Sequence, residues 1–130
     1  MDFRCRLLPG FLLTGISLAT MAGITPSAAD TLNGDQLRAL LSGRTIYVSA
    51  PFGALPISYH PGGTMTARSK AMAALSGGIS EDSGTWRIAG NQFCQRWKTW
   101  RSGTEQCFSV MRVGSTLRWA SNDGMTGTAR

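Results

Sequence analysis

The chain reads as a mainly β protein: a small antiparallel sheet, strongly curved or closed into a barrel of about seven strands, with one short N-terminal helix and one cross-strand disulfide. Three observations predict this. Residues 84–120 hold all four tryptophans and two of the three cysteines, with turn signals at short, regular intervals. Apolar residues in that stretch alternate with a period of two. One hairpin register sets two cysteines and two phenylalanines opposite each other at once.

That register follows from the turn at 101–105 (RSGTE). If it closes a hairpin whose paired numbers sum to 201, Cys94 faces Cys107 and Phe93 faces Phe108. Directly opposed residues on antiparallel strands supply the Cα separation of about 4.4–6.8 Å that a disulfide needs. The preceding turn, Ala89-Gly90-Asn91-Gln92, sets Ile88 beside Phe93; the following one, Val113-Gly114-Ser115, brings Trp119 beside Val110. Side chains alternate across a strand, so Trp86, Ile88, Phe93, Trp97, Phe108, Val110, Leu117 and Trp119 share the core face. The opposite face carries Arg87, Cys94, Arg96, Lys98, Trp100, Cys107, Met111 and Arg118, with Arg101 at the adjoining turn.

Taken in order, the chain begins with a segment that reads as a secretory signal peptide, residues 1–29. Arg4 and Arg6 form its positive start, an apolar stretch follows, and Ser27-Ala28-Ala29 offers small residues for cleavage before Asp30. Its loss removes Cys5, two of the 13 Lys and Arg, and one of the 7 acids, leaving eleven cations against six acids, a net +5. Two cysteines in an exported chain favour a structural disulfide over a metal or redox pair, since no CxxC is present and His60 is the lone histidine. Periplasm or secretion is the expected location. Residues 30–120 then form one domain.

Residues 31–43 predict the helix: Asn33 caps it with Gln36 three residues on, Leu37, Leu40 and Leu41 share a face, and Gly43 ends it. Residues 44–49 are a strand, and 57–60 and 64–67 a hairpin around Pro61-Gly62-Gly63. Residues 68–84 stay open. Ser69 to Leu75 suits a short helix, a strand or a loop, and 80–84 reads as loop. After Trp119 the small polar residues of 121–130 read as a flexible tail. A closed barrel and an open sheet crossed by the helix both fit this pattern.

At several of these positions the chain resembles the family of small exported bacterial proteins numbered 995 among the domains of unknown function. The resemblance rests on Leu41-Ser42-Gly43-Arg44-Thr45, on Tyr59-His60-Pro61-Gly62-Gly63-Thr64, on Gly84-Thr85-Trp86, and on Phe93-Cys94-Gln95-Arg96-Trp97 with Gln106-Cys107-Phe108 and Gly114. It departs at Pro61-Gly62-Gly63, where the family's pattern has an acidic residue before the glycine. The resemblance implies export and a common fold. It implies no catalytic residues.

The sequence contains no catalytic constellation to set against this. His60 lies in a hairpin beside Pro61 with no GxSxG elbow anywhere, and the adjacent Glu81 and Asp82 suit a solvated loop better than a paired acid and base. Spacings for zinc, calcium or a phosphate loop are missing, so no metal or cofactor is expected. The basic face of Arg87, Arg96, Lys98, Trp100, Arg101 and Arg118 is the positive functional signal. It suits an acidic polysaccharide, an anionic lipid headgroup or an exported protein, and nucleic acid is not expected after export. The expected function is therefore a non-enzymatic envelope binding or accessory protein. The alternatives are an inhibitor of an exported hydrolase, by resemblance in size and design to periplasmic lysozyme inhibitors, and a small envelope enzyme.

Overall fold

The computed structural model describes residues 30–130, so the expected signal peptide lies outside the described residues. A two-residue strand, β1 (Asp30–Thr31), leads into α1 (Gly34–Leu41), then β2 (Arg44–Ala50), β3 (Gly53–Tyr59) and β4 (Thr64–Arg68). A short helix, α2 (Lys70–Leu75), precedes β5 (Glu81–Ala89), β6 (Gln92–Trp97) and a 3-10 turn (Trp100–Gly103). The strands β7 (Gln106–Val113), β8 (Thr116–Ser121) and β9 (Thr126–Ala129) complete the chain.

Strands β2 to β9 form a closed antiparallel barrel of eight, because β8 pairs with both β7 and β9 and β9 returns to β2. β1 is an extra strand on β7. The hairpin register is as the cysteines require: Cys94 pairs with Cys107, Phe93 with Phe108, Ile88 with Phe93, and Val110 with Trp119. Cys94 and Cys107 form the disulfide. The inward face also agrees, with Trp86, Phe93, Trp97, Phe108, Val110 and Leu117 buried and Ile88 and Trp119 packed against them. Phe93 stacks on Phe108 at 5.0 Å between ring centroids, and Tyr59 meets Trp86 and Phe93 edge-on at 5.9 Å. Such arrangements place ring edges against ring faces and add to simple area burial.

Two segments differ from expectation. The tail expected at 121–130 contains β9, which closes the barrel: Ala129 pairs with Val48 and Leu117, and Tyr47 and Arg130 exchange backbone hydrogen bonds of 2.8 and 3.0 Å. Its Thr-Gly-Thr-Ala sequence shows no apolar alternation because Gly127 must leave room for the Trp119 indole, against which any Cβ would collide. The second is the loop expected at 80–84. β5 begins at Glu81 and pairs with β4 from Arg68 to Thr64, the polar residues Glu81 and Ser83 being mates of Arg68 and Thr66 on a hydrated wall.

The helix α1 closes one end of the barrel. Asn33 and Gln36 form a reciprocal cap with two 2.9 Å hydrogen bonds, which satisfies two of the helix's free amide donors. Leu37 and Leu41 are buried in the core, and Gly34 rests against the Gly90 carbonyl at the β5–β6 turn. The opposite end is formed by the connections 50–53, 69–80, 98–105 and 122–125.

Candidate functional site

Between these two ends lies an apolar cavity of about 200 Å³ inside the barrel. Its wall includes Val48, Leu55, Phe93, Phe108 and Leu117, with Leu41 toward α1 and Met72, Trp100 and Met125 toward the far end. Val48, Leu55, Met72 and Trp119 are only partly buried although they pack on the core. Period-two alternation explains the composition: each strand sends every second side chain inward, so a closed ring of amphipathic strands encloses apolar surface.

Few polar groups enter this space. The Tyr59 hydroxyl donates to Gln95 Oε1 at 2.8 Å, and burial pushes the Tyr59 pKa upward, keeping the phenol neutral. Gln106, paired with Gln95 across β6 and β7, donates through Nε2 to Asp123 Oδ2 at 2.9 Å. Asp123 also accepts from Arg101 at 2.7 Å and from the Ser121 hydroxyl. It holds its proton less tightly than an ordinary aspartate, first because of the Ser121 hydrogen bond, then because of Gln106, the Met125 backbone and Arg101, against an opposing desolvation.

The Asp123 cluster ties the 98–105 connection to the β8–β9 turn, and this makes it pH-dependent. The folded pKa lies below the unfolded one, so its contribution is complete above about pH 4 and is lost as pH falls through the lowered value. Asp123→Asn is expected to flatten that part of the acid limb of thermal stability. Parallel pH profiles of the two proteins by circular dichroism would contradict the assignment.

The residues expected to make a single basic face are spread around the barrel. Arg87 and Arg118 lie on β5 and β8, three of eight steps around the closed sheet, roughly 135° of turn. Arg87 is bonded to Glu105 at 2.8 Å, and Arg101 to Asp123, which leaves Arg96, Lys98 and Arg118 without an acid partner within 4.0 Å among the described residues. Hydrogen bonding to Arg87 holds the Glu105 carboxyl below its usual range and raises the Arg87 pKa. Trp100 points inward and is 3% exposed. Its ring packs on Trp97 at 4.9 Å, its indole donates to the Ile79 carbonyl at 3.3 Å, and its backbone N–H donates to Asp82 at 2.7 Å. The strand alternation that predicted an outward Trp100 ends at Trp97, where β6 gives way to the turn.

His60 sits in the β3–β4 turn, its ring 3.4 Å from the Thr66 hydroxyl and its carbonyl accepting from the Trp86 indole. Cys94, Glu105 and Cys107 cluster within 4.8 Å, but both sulfurs are committed to the disulfide, leaving no thiolate for a metal. Among the described residues no helix is long and apolar enough to cross a membrane. Comparisons with family models, with characterised proteins and with solved structures find no match for this chain. The interior site was not legible in the sequence. The one signal for it was the pair of glutamines, Gln95 and Gln106, which share the inward alternation of Phe93, Trp97, Phe108 and Val110.

Proposed function

We propose that this protein is a non-enzymatic binding protein of an oxidising compartment, periplasmic or secreted, that holds a small apolar molecule inside its barrel. The observation that carries the reading is the apolar cavity of about 200 Å³ inside the barrel, lined by residues of β2, β3 and β6 to β9. A cavity of about 150 Å³ lined by apolar side chains stays dry and takes benzene, so this one accommodates about eight non-hydrogen atoms by proportion. Location outside the cytoplasm is supported by the disulfide, which persists where glutathione does not reduce it. A binding role is supported by the wall itself, where catalysis would need converging acids, bases or nucleophiles.

The test is a titration of the purified, oxidised protein with toluene, followed by amide chemical shifts. Saturable shifts confined to wall residues are expected. Val48→Trp, which places an indole where Val48 faces Leu55 across β2 and β3, is expected to weaken toluene binding at least tenfold while the protein stays folded. Toluene shifts that never saturate, or that are unchanged in Val48→Trp, would sink the proposal.

A further inference from the structure

Two polar side chains inside an apolar cavity need a reason to be there, since burying an amide without partners is costly. Gln95 and Gln106 are 7% and 5% exposed, the two buried polar residues of the core among the described residues, and they are directly paired across β6 and β7. Opposed residues on neighbouring antiparallel strands carry Cβ atoms about 4.5–5.5 Å apart, so their amides reach the same part of the cavity. Each is half used. Gln95 Oε1 accepts from Tyr59 and Gln106 Nε2 donates to Asp123. Gln95 Nε2 and Gln106 Oε1 have no hydrogen-bond partner among the described residues. Nor are they sealed off: Trp119 Nε1 is the one fully buried side-chain polar atom without a partner among the described residues. Two paired residues of the cavity wall therefore carry one unpartnered donor and one unpartnered acceptor among the described residues.

From this pairing we infer that the ligand is a compact, uncharged ring molecule bearing a single hydroxyl, of the phenol or cyclic alcohol class. The inference rests on the interior-binding reading above and specifies its ligand. A hydroxyl oxygen both accepts and donates, so one atom meets Gln95 Nε2 and Gln106 Oε1 together. Reversing either amide leaves the match intact on that side, because the hydroxyl can exchange its two roles. An ionised ligand does not fit. Arg101, the cation on the cavity wall, is bonded to Asp123, the Tyr59 phenol is neutral, and a carboxylate would lose its hydration without gaining a counter-charge. The flat shape follows from the wall, where Phe93, Trp97, Phe108 and Trp119 offer ring faces and edges. The volume agrees, since p-cresol has about the eight non-hydrogen atoms that the cavity takes by proportion.

Three probes test this, p-cresol, toluene and p-toluate, titrated into the oxidised protein, with the larger p-toluate read beside its neutral equal in size, p-toluamide, so that charge and size are separated. p-Cresol is expected to bind about tenfold more tightly than toluene, the worth of satisfying two half-used amides, and p-toluate not to bind at all. In Gln95→Leu and Gln106→Leu the cresol affinity is expected to fall to that of toluene, with toluene binding retained. Equal affinities for cresol and toluene in the wild-type protein would overturn the hydroxyl assignment while leaving the apolar site standing, and so would tighter binding of p-toluate. If toluene and cresol both fail to bind, the interior-binding reading itself falls. The wild-type comparison needs no variant, so misfolding of a glutamine substitution would not blur the outcome.

Discussion

Gly84→Ala is expected to destabilise the fold severely, although alanine is only one methyl group larger and the backbone torsion at Gly84 is ordinary. A Cβ at this position would lie 2.9 Å from the Arg96 carbonyl carbon, nearer still to its oxygen, and 2.9 Å from Met65 Cε. The Arg96 carbonyl cannot move aside, because Gly84 pairs with Trp97 on β6 and with Met65 on β4, so the clash falls inside two registers at once. Met65 is fully buried, and its Cε is the softer of the two contacts; the Arg96 backbone is the one that cannot yield. Overpacking of this kind costs about 3 kcal/mol and more when backbone must shift, against a total stability of about 5–15 kcal/mol for a domain of this size. Gly62→Ala is the control, since a Cβ there meets nothing within 4 Å. Soluble yield and thermal melting of the two variants check the expectation. A well-folded Gly84→Ala protein melting with the wild type would show that β4, β5 and β6 do not approach one another as described.

Replacing both cysteines, as Cys94→Ala with Cys107→Ala, is expected to give the second large effect. The bond joins residues 13 apart, and constraining a loop of that length in the unfolded chain is worth about 3 kcal/mol in the chain-entropy treatment. For a domain of this length each kcal/mol moves Tm by roughly 4–8 °C, so a fall of about 12–24 °C is expected. Cys94 and Cys107 face each other in the β6–β7 ladder, with Cα atoms 4.0 Å apart. It also matters where it sits. β6 and β7 pair directly at three positions only, Phe93 to Gln95, before the chain leaves for the 98–105 connection. The bond reinforces this short ladder. Calorimetry of the variant beside the wild-type protein measures the shift, and a Tm within a few degrees of wild type would contradict this role.

Much of this protein was written locally. The Asn33 and Gln36 cap, the inward set from Trp86 to Trp119 and the Cys94–Cys107 pairing each depend on residues near in sequence, through helix capping, strand alternation and hairpin register. Those signals are short-ranged and unambiguous where large apolar residues alternate with polar ones.

What closes the sheet is of a different kind. β9 has no alternation to announce it, and its place depends on Val48 and Tyr47 some eighty residues earlier offering a free edge. Trp100 packs on nearby Trp97 and is turned inward by Asp82 and Ile79, two contacts from about twenty residues earlier that exist only once the chain before β6 has folded beside it. The cavity, and the half-used amides of Gln95 and Gln106 inside it, are likewise properties of the ring and of no single strand. The sequence alone determined which side of each ribbon is apolar and which two sulfurs meet; the tertiary structure decided that those apolar sides enclose a space, because enclosure is set by long-range pairing that leaves no periodic trace in the chain.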